Sequence, residues 1–434
     1  MKTTTSLSVA AVAVALTIGG VISPTHMGVA PAQAADAKKQ ISNKFGKQFQ
    51  EAKALIDQKN YKAALPKLDE LKALPGKSAY ESFVVAELQT AAYVGTADYA
   101  NAAKAMEAAI ETGEAPAASK QARAKNIANT YFAAKNVAKF NEASAKYQKD
   151  FGPDVDLQLL AAQGLYQERK FKEAAEAART VIKTAESKGQ PAREDWLKLV
   201  YSAEHEAGNA AGEKVAVETL VARYPKPEYW NALLINAQKT IRGPKVQLDI
   251  YRIMLAAGVM QKTEEYMDMA QLSIQAGVPA EAEKVIQKGQ AAKLLMEGPQ
   301  KDRHLRLQTM AVSQTKEKDT GLAQQEADAK AAATGDADVQ VGEVFWSKGQ
   351  TDKAVEAIQR GLKKGVKDKD DGYLRLGVVY LTSGKRGEAA NAFKAITPNS
   401  APAQIARLWT LLGSNAVAAA APSSAAPAKA SAKK

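Results

Sequence analysis

GYLRLGVVYLTSGKRGEAANAFKAI, Gly372 to Ile396, reads as two short amphipathic helices about a turn. Tyr373, Leu376, Gly377 and Tyr380 recur at helical spacing on one face, and Ala389, Phe393 and Ile396 do so after the break at Ser383 and Gly384. Each segment therefore buries a stripe. Gly377 and Ala389 fall where two antiparallel helices must come close, because a large side chain there would hold the axes apart. The stretch is a helix hairpin. One hairpin cannot cover its own apolar face, so neighbours of the same kind are expected.

The copies are present. Val341-Gly342, Phe345, Ala354, Ile358 and Gly361 repeat the offsets just upstream, with Gly342 and Gly377 35 residues apart. Trp196 and Trp230 stand 34 apart, and Tyr266 follows after 36 with Met269, Ala270, Gly277, Ala282, Ile286 and Gly289 in phase. In the N-terminal half NYKAALPKL, DYANAAKAM, KFNEASAKY and KFKEAAEAA each place an aromatic three residues before an alanine: Ala64, Ala102, Ala143 and Ala174. Their spacings of 38, 41 and 31 imply loops of unequal length. The 72 residues from Ala282 to Ala354 leave room for two units, although the segment around His304 to Ala333 carries almost no pattern.

With an aromatic at Tyr373, Leu376-Gly377, Tyr380, Ala389 and Phe393, the hairpin resembles the tetratricopeptide repeat (TPR), a 34-residue helix-turn-helix unit. Ile396 replaces its second small residue, and Pro398 comes early. The resemblance implies an all-α chain, a right-handed α-solenoid of about nine or ten TPR-like hairpins. Composition agrees: of 434 residues 46% are hydrophobic and only 6% aromatic, as stacked helices meeting through small side chains require. A solenoid also escapes the size limit of a single core, since each unit touches only its neighbours.

Three segments are expected. Met1-Lys2, the apolar run Leu7 to Ile22 and Ala32-Gln33-Ala34 describe a secretory signal peptide over residues 1–34. The solenoid covers 35–413. Residues 414–434, rich in Ala, Pro, Ser and Lys without periodicity, read as a disordered tail. With no cysteine for a lipoprotein anchor, a disulfide or thiol chemistry, the expected location is the periplasm of a Gram-negative bacterium, with no membrane span after cleavage.

Net charge is +12, from 59 basic and 47 acidic residues. Spread over the whole array this is mild, and no basic stripe interleaved with aromatics points to nucleic acid. The run KKGVKDKDD at 363–371 alternates in sign, as a solvated loop does. Nor does a catalytic pattern stand out. His205 and His304 lie about 100 residues apart, and neither belongs to a His-Glu-x-x-His pair, a Gly-x-Ser-x-Gly elbow or a phosphate-binding glycine loop. Some lytic transglycosylases join an α-solenoid to a catalytic domain, but only the short tail follows the last repeat here. No enzyme, cofactor or metal is expected.

Binding is left. The TPR resemblance implies a concave groove lined by the first helix of each hairpin. Its candidate residues are Tyr166, Tyr201, His205, Asn231, Gln238, Lys239, Gln271, Gln275 and Trp346. Aromatics with amides suit an extended or helical peptide. The basic clamp of chaperone-binding TPR domains is absent, since the matching positions hold Leu159/Gln163, Leu197/Tyr201 and Met267/Gln271.

FQEAKALIDQKNYKAALPKLDEL, DIYRIMLAAGVMQKTEEYMDMAQLSIQAGVPAEAEKVIQKG and the closing ARLWTLL resemble exported TPR proteins of Gram-negative bacteria, some associated with the Ton energy-transducing machinery. That resemblance implies an adaptor holding an envelope protein or peptide. The alternative reading is a carrier or sensor of a small or polymeric ligand such as peptidoglycan fragments.

Overall fold

The structure, a computed structural model, describes residues 41–420 apart from Pro244, with side chains to Ser414. The expected signal peptide lies outside the described residues. So does the expected tail from 421 onward, but residues 414–420 do not form one: the last helix continues through them to Ala420.

Every regular element among the described residues is helical. Unit 1, up to Asn209, holds four hairpins: α1 (Asn43–Asp57) with α2 (Tyr61–Ala73), α3 (Ala79–Gly95) with α4 (Tyr99–Glu111), α5 (Lys120–Ala133) with α6 (Val137–Phe151), and α7 (Val155–Gln167) with α8 (Phe171–Ser187). It ends in α9 (Glu194–Glu206). Unit 2, from Ala210, begins with α10 (Ala210–Arg223), α11 (Pro227–Thr240) and α12 (Val246–Ala256), followed by the hairpin α13 (Thr263–Gln275) and α14 (Pro279–Ala291). Then come α15 (Lys301–Ala331), the hairpins α16 (Asp336–Ser347) with α17 (Thr351–Lys364) and α18 (Lys369–Thr382) with α19 (Arg386–Lys394), and α20 (Ala401–Ala420). By its internal contacts the chain divides into these two compact units.

The hairpins share one turn. After α1, Lys59 adopts the left-handed conformation (φ 59°), its N–H reaches Ile56 O, and the N–H of Asn60 reaches Leu55 O. These two bonds satisfy carbonyls at the helix end, and the Asn60 carbonyl then accepts the first backbone bond of α2, from Ala64 N–H. Ala97, Lys135, Arg169, Gly208, Gly277, Gly349 and Gly384 repeat the geometry. In the later hairpins glycine takes this conformation without strain, whereas the earlier ones hold side chains in it.

Seven residues before each of these turns sits the close-approach position: Ala52, Thr90, Ala128, Ala162, Ala270, Gly342 and Gly377, all buried. A Cβ on Gly377 would overlap the Phe393 ring, and one on Gly342 would overlap Ile358. The spacing expected from the opening stretch is therefore the real packing register. Tyr201, seven before Gly208, is the exception.

Apolar clusters fill the hairpin junctions. Phe45, Phe49, Leu68, Leu71 and Leu88 join α1 to α3, while Ile127, Tyr131, Phe140, Tyr147 and Leu157 join α5 to α7. Each large side chain so buried contributes about 1.5–3 kcal/mol of transfer free energy. In unit 2, Val339, Phe345, Ile358, Leu376 and Val379 extend one cluster through α16 to α18, with Leu322 and Ala329 of α15 against it.

The almost patternless region is one helix of 31 residues, α15, and not a degenerate hairpin. Between Lys301 and Ala331 it has neither proline nor asparagine and a single glycine, Gly321, so nothing stops the helix. His304, Ala311, Leu322 and Ala329 form its buried face.

Candidate functional site

First helices meet one another in unit 1, α1 with α3, α5 with α7 and α7 with α9, whereas no two second helices touch among the described residues. The first helices therefore form the inner layer. Counting back three residues from each turn gives Ile56, Val94, Phe132, Tyr166 and His205, one side chain per first helix in the same register. All are half-buried except His205, which is exposed. Six residues back lie Lys53, Ala91, Asn129, Gln163 and Ser202.

Tyr166 leans edge-on against Phe171, with centroids 5.3 Å apart, and packs on Ala174, Ala175 and Ala203. Burial and the Glu206 carboxylate push its phenol above the usual range. Tyr201 stacks on His205 at 6.4 Å. The structure thus brings Tyr166, Tyr201 and His205 together at the α7–α9 junction, but Tyr201 occupies the packing register and not the groove register. Counting from Trp196 sets this hairpin one residue off; counting from the turn corrects it.

Ile56, Val94, Phe132 and Asn129 are absent from the sequence-based candidate set. The Phe132 ring lies edge-on to Phe140 at 5.3 Å, and a Cβ on Gly164 of α7 would touch it at 3.4 Å. The buried Asn129 Oδ1 on α5 and Gln158 Oε1 on α7 accept no hydrogen bond. Polar side chains brace the same helices. Arg123 grips Glu87 through Nη1 (2.6 Å) and Nη2 (3.1 Å), and Lys125 bridges Asp154 (3.0 Å) and Asp156 (2.6 Å). Burial would lower the Lys125 pKa, but these two carboxylates raise it above its ordinary value.

Unit 2 is arranged differently. Asn231 and Gln238 are half-buried and Lys239 is exposed on α11, while Gln271 and Gln275 are exposed on α13. Trp346, three before Gly349, is already engaged: the Arg252 guanidinium lies 5.1 Å above its ring, and its indole N–H reaches Thr382 Oγ1 at 3.2 Å. The Trp346 ring is therefore held by contacts within the chain.

Arg252 belongs to a buried charge cluster that no sequence motif announces. Its Nε and Nη2 donate to Glu281 Oε1 and Oε2 at 2.8 and 2.7 Å, and Nη1 faces Asp249 (3.3 Å) and Glu343 (3.5 Å). Arg375 clamps Asp249 with both terminal nitrogens, Nη2 at 2.7 Å, and donates to Asp371 from Nη2 (2.8 Å) and Nε (3.0 Å). Lys245 closes the rim on Asp371 at 2.6 Å. Asp249, Arg252, Glu343 and Arg375 are each under 5% exposed. Burial disfavours both arginine charges, yet the Glu281 carboxylate holds the Arg252 pKa, and Asp249 the Arg375 pKa, above the ordinary range. Asp371 is likewise opposed by burial, but Arg375 and Lys245 hold its carboxyl below the usual range. The one available signal was an isolated charge within an apolar helix, as at Arg375 in GYLRLGVVYL.

At the α10–α11–α20 corner a cleft of about 10 Å³, edged by Glu218, Asn236 and Gln404, barely admits one water molecule. Among the described residues no group of three His, Cys, Asp or Glu side chains is arranged to hold a metal, and no helix is long and apolar enough to cross a membrane. The clustered carboxylates are consumed by arginines.

No protein-family model and no curated protein matches the chain. Among solved structures it is similar to that of Naa15/Naa10 bound to HypK-THB, at 13% identity over 83% of this chain and 70% of that one. The TM-score is 0.24, a likeness too loose to carry any argument.

Proposed function

We propose that the protein is a binding scaffold whose unit 1 holds a peptide or helix of a protein partner along the inner layer of its hairpins. One observation carries this reading: the half-buried stripe of Ile56, Val94, Phe132 and Tyr166, one side chain per hairpin in a common register, ending at His205. A ladder of aromatics and aliphatics beside amides supplies anchor area and backbone partners, which is what an extended ligand uses. The signal-like N-terminus supports an exported protein of the Gram-negative periplasm, and the partner is then an envelope protein or peptide such as a component of Ton-type uptake machinery.

The test is crosslinking in cells with a photoreactive residue at Gln163, followed by reconstitution with the purified captured protein. Tyr166→Ala with His205→Ala is expected to weaken that complex by tenfold or more while Gln271→Ala with Gln275→Ala leaves it unchanged, folding being confirmed by circular dichroism. Equal binding by wild type and the Tyr166/His205 variant removes the groove assignment. Recovery of the mature chain in the cytoplasmic fraction removes the periplasmic one.

A further inference from the structure

Unit 1 is continuous as a chain of hairpins but not as an inner layer. Its first helices pack as α1 with α3, and as α5 with α7 and α7 with α9, yet no Cα of α3 comes within 8 Å of one in α5. The seam follows from the connection. Residues 112–119, between α4 and α5, form the longest link between elements of unit 1, with a left-handed Gly113 and a 3-10 turn at Ala117–Ser119. A longer link lets α5 stand off from α3.

The two sides of the seam are held differently. On the outer side α4 meets α5 through apolar side chains: Ala103 and Met106 share one buried cluster with Ile127, Ala128 and Tyr131, and Val94 rests at its edge. The Tyr131 hydroxyl donates to Glu107 at 2.7 Å, tying the same two helices. Parting α4 from α5 would return that apolar area to water, so this contact is the one that stays. On the inner side Arg123 of α5 spans the gap. It donates to Glu87 of α3 from Nη1 (2.6 Å) and Nη2 (3.1 Å), lies 5.3 Å above the Phe83 ring, and reaches Ser119 Oγ with Nε at 3.0 Å.

The side chains of Arg123 and Glu87 remain 22% and 17% exposed, so water and salt reach the pair. Such a pair regains hydration when it parts, and its net contribution is small beside the apolar contact behind it. While it is made, the two-pronged arginine–carboxylate geometry fixes one spacing of α3 and α5. On either side of the seam the hairpins have cores of their own, around Leu68 and Leu88 in α1–α4 and around Val181 and Trp196 in α7–α9.

We infer that unit 1 is hinged: the bodies α1–α4 and α5–α9 open about the α4–α5 contact, the Arg123–Glu87 pair is the clasp that holds them closed, and opening widens the inner layer between Val94 and Phe132. This stands whether or not that layer binds a peptide, and its test uses no partner.

The chain has no cysteine, so spin labels can be placed at chosen exposed positions. Double electron–electron resonance between labels at Gln58→Cys and Gln167→Cys reads the distance across the seam, and Gln148→Cys with Gln167→Cys reads one within α5–α9. Arg123→Gln is expected to add a longer-distance population to the first pair and to leave the second unchanged, and Glu87→Gln does the same. Salt at about 1 M, where screening acts within ~3 Å, shifts the wild-type clasp in the same direction. A single unchanged distance across the seam in both variants and in salt overturns the proposal. So does broadening of both label pairs together, which would make the ion pair a support of ordinary packing. Should Arg123→Gln fail to fold, Glu87→Gln and the salt series decide.

Discussion

Single residues set the hairpin geometry through two positions, the close approach and the turn. At the first, Gly377 faces the Phe393 ring with no room for a Cβ. Gly377→Leu is expected to destabilise unit 2 by about 3 kcal/mol or more, because forced overpacking costs ~1–3 kcal/mol even for smaller insertions. Urea denaturation checks this, and an unchanged midpoint would falsify the register. At the turn, Ala97 keeps φ at 59° and strains its own Cβ. Ala97→Gly should gain roughly 0.5–1 kcal/mol, and Gly349→Ala, with φ at 78°, should lose a similar amount. Both signs are the reverse of what glycine's effect on the unfolded chain alone would give, so they identify turn strain.

At the scale of elements, α1 is tied to α3 by one carboxylate. Glu81 closes a capping box on Ser78, and its Oε1 also accepts from the Ser42 N–H at 2.9 Å and Oγ at 2.7 Å. Burial opposes its charge, yet the bonds from Ser42 and Ser78 hold the pKa below the ordinary carboxylate value. A depressed folded pKa contributes stability that is present above the unfolded pKa and lost as pH falls through the folded one. Acid should therefore loosen α1 before the rest of unit 1, and Glu81→Gln should flatten that dependence. Exchange of α1 amides between neutral pH and about pH 3 measures both. The helix α15 makes the complementary point: with no turn residue to interrupt it, a stretch long enough for a hairpin stays one rod.

For the whole molecule, the decisive feature is the charge cluster inside unit 2. Arg375→Ala leaves buried Asp249 with only the longer contact to Arg252 (3.3 Å) and should cost about 3–5 kcal/mol, whereas Arg375→Met with Asp249→Leu should cost far less, since buried pairs replaced by apolar groups are often near neutral. Thermal or urea unfolding of the two variants separates these outcomes; equal losses would mean that the ions themselves carry the stability. Asp371, held below the usual carboxylate range by Arg375 and Lys245, adds an acid limit to unit 2 with the same sign as Glu81 in unit 1.

The hairpin repeat was legible in the sequence because its causes are local. Helical spacing, small residues seven before each turn and glycines at Gly277, Gly349 and Gly384 act within about 35 residues, so they mark the chain as a pattern. Of the proposed groove, Tyr166 and His205 followed from the same phase. Phe132 and Val94 did not, because Lys135 and Ala97 take a conformation that no glycine advertised. What only tertiary structure decided is which distant charges meet. Asp249 and Arg375 are 126 residues apart, and Trp346 meets Arg252 from another hairpin. Charge pairing at that separation leaves no period or spacing in a sequence; the folded array alone brings the side chains of Asp249 and Arg252 to Glu343, Trp346 and Arg375.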